Sequence, residues 1–265
     1  MKIFISADIE GVTGIANWDE TKLDNPQSQY FRGQMTMEVK AACEAAIEAG
    51  ADEVIVKDAH SSGRNIDPSK LPEKAKILRG WARNPYVMMA GLDDSFDGVL
   101  FVGYHSAAGT DGNPLAHTMD TENEYVMING IYASELLINS YTAALLGVPV
   151  LFVSGDKLLC EEAKRINKYI ETVAVSEGVG GASISIHPDL AVKSIKQKVH
   201  EALNGDLSKR TVKMPEKFKV EIHFRNHSAA YGGSFYPGAR QTGTKTVEYE
   251  AADYFEVLKF LFFVL

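Results

Sequence analysis

The residues with metal or proton chemistry within reach are a surplus of acids and seven histidines, and several of them fall at one kind of place. Asp8 and Glu10 follow the apolar run 3–7 and lie two apart, so in extended backbone both carboxylates project to one side. Carboxylates that close repel unless a proton or a cation lies between them. Asp58 and His60 follow the run 53–57, His105 follows 99–102, and Asp156 follows 148–153. Asp favours turns and helix N-caps, which would account for a lone Asp8. Histidine has no such preference, and neutral imidazole is a common metal ligand. Carboxylate and imidazole together suit zinc, manganese, cobalt or iron better than magnesium or calcium.

Two further residues stay open on this evidence. His117, in Pro114-Leu115-Ala116-His117-Thr118, reads as an ordinary loop histidine or as a proton carrier or oxyanion stabiliser. Glu135 begins a helical pattern, where an acid normally complements the helix dipole; aimed at the acidic rim it would equally serve as a ligand. His187, His200 and His223 read as structural or surface residues, and His227 is left as a substrate contact. Cys43 and Cys160 lie in no CxxC pattern and have no histidine or aspartate partner by spacing, which disfavours a thiol nucleophile and a thiolate zinc site. Gly11-Val12-Thr13-Gly14 follows the first run but is not GxGxxG, and neither GxxxxGK[ST] nor GxSxG occurs.

The elements that must position these residues alternate. Strands are expected at 3–7, 53–57, 99–102, 126–128 and 148–153, with helices over 30–48, 133–146, 158–169, 188–203 and 251–263. The stretch 218–224 alternates apolar and polar residues as a strand with one wet face does, with 244–247 as a candidate neighbour. This order predicts an α/β fold of three layers, α/β/α, with a mixed, mainly parallel sheet and a late antiparallel or edge contribution. A single domain over 1–265 is expected, with about 215–265 as a candidate C-terminal subdomain. Ligands of open parallel sheets bind outside the carboxyl ends of the strands, which is the rim these acids and histidines would share. Segments 106–125 and 225–243 lack periodicity and read as long functional loops.

With 45% hydrophobic and 23% charged residues among 265, the composition is that of an ordinary globular protein. A net charge of −8 argues against nucleic acid as a partner. No long apolar segment suggests a signal peptide or membrane span, and a reducing cytoplasm is the expected compartment for a chain with two dispersed cysteines.

Ser6-Ala7-Asp8-Ile9-Glu10-Gly11 resembles the SxDxEG motif of the D-aminopeptidase family of dinuclear zinc peptidases. Lys57-Asp58-Ala59-His60-Ser61, Gly91-Leu92-Asp93-Asp94, Phe101-Val102-Gly103-Tyr104-His105, Ala116-His117-Thr118-Met119 and Gly155-Asp156 continue the likeness in order, as do Pro237-Gly238 and Thr242-Gly243-Thr244. The resemblance implies that Asp8 bridges two zinc ions, with Glu10 and His60 completing one site and His105 and Glu135 the other; cobalt or manganese would suit the same ligands. It places the catalytic residue at His117, and leaves Asp58 and Asp156 as residues that orient a ligand histidine. The implied activity is removal of N-terminal D-amino acids from short peptides or amides. The implied assembly is a homo-oligomer, a decamer of two five-membered rings. The alternatives are another dinuclear amidohydrolase or phosphoesterase, and a non-catalytic peptide-binding protein.

Overall fold

The computed structural model describes residues 1–265 and contains two sheets. The larger is built from β1 (Lys2–Ala7), β2 (Glu53–Asp58), β3 (Ala75–Leu78), β4 (Gly98–Tyr104), β7 (Val150–Asp156), β8 (Glu171–Val179) and β9 (Ala182–Ser185). Its order is β3-β2-β1-β4-β7-β8-β9, parallel throughout except for the edge strand β9. Every residue of β4 and β7 is buried, because helices cover both faces. On one side lie α1 (Ser28–Glu48) and α4 (Pro188–Leu203), whose Met35, Val39, Ile195 and Val199 pack on Ile3, Ile5 and Val54. On the other lie α2 (Glu135–Leu145) and α3 (Lys157–Ile166), with Leu136, Ala143, Leu159 and Ala163 against Phe101, Val150 and Val153. The mainly parallel α/β/α architecture read from the sequence is the one observed.

The late antiparallel contribution is a sheet of its own. β5 (Asn123–Ile128), β6 (Ile131–Tyr132), β10 (Phe218–Phe224), β11 (Arg240–Gln241) and β12 (Thr246–Ala251) form the order β11-β12-β10-β5-β6, all antiparallel. The inner face of β10 (Phe218, Val220, Ile222, Phe224) is buried against α6 (Tyr254–Val264) and α2. α2 therefore belongs to two cores: Leu136 and Ala143 face the large sheet, Leu137 and Ile138 the small one. Part of the expected loop 225–243 is helical, as α5 (His227–Gly233), started by the Asn226 side chain accepting from Ser228 N.

In the large sheet the strand order reverses at β1 and β4, and the crevice outside their carboxyl ends is the place such folds offer a ligand. The two strand ends are locked together there. Asp8 N donates to the Val102 carbonyl at 2.9 Å, and Gly11 N to the Gly103 carbonyl at 2.9 Å. The approach is too close for side chains: a Cβ on Gly11 would lie 1.7 Å from the Tyr104 oxygen, and one on Gly103 2.3 Å from the Asp8 oxygen. Gly103 also takes a φ of +72°, a region that costs any other residue energy. Gly11→Ala is expected to destabilise the protein by about 2–3 kcal/mol through overpacking and forced backbone shift. A Tm lower by roughly 5–10 °C in a thermal melt would register it; an unchanged Tm would show that this junction yields freely.

Candidate metal centre

Asp8 and Glu10 leave the end of β1, His60 stands in the turn after β2, His105 directly follows β4, and Glu135 is the first residue of α2. All five are buried, with side-chain exposure of 9% at most. The two oxygens of Asp8 divide between two histidines: Oδ1 is 3.4 Å from His60 Nδ1, and Oδ2 is 3.5 Å from His105 Nε2. Each histidine has a second carboxylate of its own, Glu10 Oε2 at 3.1 Å from His60 Nδ1 and Glu135 Oε2 at 3.5 Å from His105 Nε2. Two half-sites thus share one carboxylate.

The ring orientations are fixed from behind. The far nitrogen of His60, Nε2, lies 3.1 Å from the Thr21 carbonyl, and His105 Nδ1 lies 3.0 Å from the Ser106 carbonyl. Donation to those carbonyls leaves His60 Nδ1 and His105 Nε2 as the lone-pair nitrogens that face the acids. Asp58 and Asp156 touch neither ring. Asp58 accepts from Ile66 N at 2.8 Å and Asn65 Nδ2 at 2.9 Å, and Asn65 Nδ2 also donates to the His60 carbonyl at 2.8 Å. Asp156 accepts from Ser106 N at 2.7 Å and caps α3 through Leu159 N at 2.9 Å. Both therefore act on the backbone that carries a histidine, one step further out than expected.

The donor set fits a cation. His105 Nε2 and Glu10 Oε2 are buried with no hydrogen-bond partner, an arrangement that is costly unless a bound group satisfies them. A tetrahedral ion with bonds of ~2.0–2.1 Å spaces its ligand atoms by about 3.3 Å, close to the separations found here. Two ligand groups are compact enough for an ion, Asp8 with Glu10 and His105, and His105 with His117 and Glu135, each with ligand atoms within 4.8 Å of one another.

The electrostatics point the same way. Burial pulls His60 down, but Glu10 and Asp8 outweigh it and hold the imidazole well above its ordinary range. Burial likewise pulls His105 down, and Glu135 and Asp8 outweigh it. Asp8 is pushed up by burial and held well below the carboxylate range by the two histidines beside it. Without a cation, the raised values favour a proton at His60 Nδ1 and His105 Nε2 in place of the lone pairs. A metal must displace these protons, so affinity falls as pH drops below the raised histidine values and levels off above them. Zinc titration near neutral pH in buffers of different ionisation enthalpy is expected to show release of about two protons per subunit; release of none would mean the rings are neutral before metal arrives.

His117 stands over this cluster. It stacks on His105 with ring centres 4.3 Å apart and 11° between planes, and its Nε2 is 3.7 Å from Glu135 Oε1. Its Nδ1 lies 2.9 Å from the Leu115 carbonyl, which leaves Nε2 as the basic atom toward the cavity. That cavity, of about 740 Å³, has Asp8, Glu10, His60 and Glu135 in its wall together with His117, and is flanked by Trp18, Trp81 and Met119. Sequence reasoning found none of these three. Trp18 meets the His117 ring edge-on at 5.2 Å and is set by a capping box in which Asn17 Oδ1 accepts from Asp19 N and Glu20 Oε2 from Asn17 N. Asn-x-x-Glu at 17–20 was the available signal for that turn. Met119 takes a φ of +67°, held by its N–H donating to Glu135 Oε1 at 2.8 Å. His227, by contrast, starts α5 and does not line this cavity.

The family model for D-aminopeptidase matches residues 1–263. The chain belongs to the D-aminopeptidase family. It is a peptidase by that membership, and its similarity to individual D-aminopeptidases spans nearly its whole length. It is 33% identical over 260 residues to a D-aminopeptidase of Bacillus subtilis (strain 168), covering 97% of this chain and 93% of that protein. Its fold superposes, with a TM-score of 0.91 and 30% identity, on a solved structure described as the Zn-dependent D-aminopeptidase DppA from Bacillus subtilis, a self-compartmentalizing protease; the match covers 100% of this chain and 96% of that one. Both cysteines, Cys43 and Cys160, are buried, and burial pushes the Cys43 thiol up to about 12. No helix is long and apolar enough to cross a membrane.

Proposed function

We propose that the protein is an aminopeptidase with a dinuclear zinc centre, which removes N-terminal D-amino acids from short peptides. The observation that carries this reading is the division of Asp8, one oxygen toward His60 and Glu10 and the other toward His105 and Glu135. Asp8, Glu10 and His60 would hold one ion and Asp8, His105 and Glu135 the other. When bound, such a pair supplies a water nucleophile near neutral pH and polarises the scissile carbonyl.

The chain's own residues do the rest. Thr21 and Ser106 keep the two imidazoles in the ligating tautomer through their carbonyls. His117 Nε2, at the cavity wall, is placed to give a proton to the leaving amine, or to stabilise the oxyanion when protonated. Trp18 and Trp81 wall the cavity and limit water around the substrate backbone. The compactness of the His105, His117 and Glu135 group favours one further reading, in which His117 is itself a ligand. Its place over the cluster and at the cavity wall supports the proton-carrying role.

Hydrolysis of D-Ala and L-Ala dipeptides by the zinc-loaded protein tests the proposal, with amino-acid amides and phosphomonoesters alongside. Expected are cleavage of the D-peptides, loss on chelation and recovery with zinc. Cleavage of phosphomonoesters alone would assign the rim to a phosphoesterase, and no cleavage at all would leave a binding protein. We also take the protein to assemble as a homo-oligomer, a decamer of two rings, in keeping with the self-compartmentalizing relative; size-exclusion mass of the same preparation tests it.

A further inference from the structure

A second cavity, of about 570 Å³, lies between α2 and α3 and shares no lining residue with the first. Three charged side chains surround it: Glu162 and Arg165, one turn apart on α3, and Lys213. None of the three pairs with another. Glu162 Oε1, half-buried, accepts from Ser134 Oγ at 2.8 Å, while Arg165 and Lys213 are exposed to solvent at the cavity's edge. Burial lifts the Glu162 carboxyl to about 7, against the pull of Ser134 and Arg165. The remaining wall is largely apolar, with Leu158, Ile166 and Val212 among it.

We propose that this cavity is a binding site for a free aliphatic α-amino acid, with the ammonium on Glu162, the carboxylate on Arg165 and Lys213, and the side chain against Leu158, Ile166 and Val212. The chemistry narrows the class. A plain carboxylic acid would meet Glu162 without a counter-charge, and a plain amine would leave both cations unpaired. A neutral apolar molecule would cover the half-buried Glu162 carboxylate without offering it a partner. A zwitterion carrying an apolar substituent offers a partner to Glu162, to the two cations at the edge and to the apolar wall together.

The site stands whether or not the metal centre is a peptidase centre, but it has a place in that chemistry, since free amino acids are what peptide hydrolysis releases. It also touches the metal side of the fold. Ser134, the partner of Glu162, caps α2 by accepting from Leu137 N at 3.0 Å, and the next residue is Glu135. Ser106, in the same cavity wall, carries the carbonyl that holds His105.

The test is calorimetric titration of the zinc-loaded protein with L-leucine and D-leucine. Isoamylamine and 4-methylpentanoate, which each carry one of the two charges, serve as controls. At least one leucine enantiomer is expected to bind, each control at least about tenfold more weakly, and Glu162→Gln and Arg165→Met each to weaken leucine about tenfold. Zinc per subunit should be unchanged in Arg165→Met, and a crystal of the holoenzyme grown with leucine should show it against Glu162. Leucine found only in the first cavity, equal affinity in wild type and both variants, or a neighbouring subunit's side chain filling the space would each overturn the proposal.

Discussion

Replacing His117 by alanine is expected to lower kcat by about 10²–10⁴-fold, the range for loss of a positioned acid–base group, while zinc per subunit stays at the wild-type value. The expectation rests on geometry. His117 reaches the cluster only at 3.7 Å from Glu135 and through ring stacking on His105, and His105 keeps its own carbonyl partner when the stack is lost. Turnover should fall with little change in KM, since a proton donated late in the reaction contributes to the transition state and not to substrate binding. Zinc analysis by atomic absorption beside the kinetics separates the two roles. Variants that lose one ion would make His117 a ligand, as its grouping with His105 and Glu135 allows.

Asp8→Asn is expected to have the larger effect on metal. Asparagine keeps the shape of the side chain but removes the charge that both half-sites share, so the loss should not be confined to one ion. Zinc content should fall to below about one ion per subunit and activity by more than about 10³-fold, because a buried pair of ligand histidines is left with one acid each. Glu10→Gln, which removes an acid from only one half-site, is the comparison. Equal zinc retention in Asp8→Asn and wild type would show that the two oxygens do not serve separate ions.

Much of this centre was legible before the fold was known, for a physical reason. Parallel strands buried on both faces read as unbroken apolar runs, and the first polar residues after such a run mark its carboxyl end. Asp8, Glu10, His60 and His105 were found that way. Glu135 was not, because an acid opening a helix is indistinguishable in sequence from a dipole partner; only the packing of α2 on β4 aims it inward. Trp18, Thr21 and Trp81 were missed because each meets the site across the chain; Asn-x-x-Glu at 17–20 marks a turn at Trp18 but not what it faces. That the late antiparallel strands form a sheet of their own escaped for a related reason. β5 pairs with β10 across a long stretch of chain, from Ile128 with Val220 to Asn123 with Phe224, and a short run such as Val126–Ile128 does not name its partner. β8 and β9, at the edge of the large sheet, lack the continuous apolar run that marked its centre.

The double attachment of α2 makes the two halves of the centre mechanically unlike. Asp8, Glu10 and His60 all follow the ends of β1 and β2, paired neighbours in the middle of the large sheet. Glu135 rides on a beam bolted to both sheets, through Leu136 on one side and Leu137 and Ile138 on the other. Any rocking of the small sheet against the large one is therefore felt at the half-site of His105 and Glu135 and hardly at that of Glu10 and His60. The half-site of Glu10 and His60 keeps a fixed width, and that of His105 and Glu135 has a width set by how the two sheets lean.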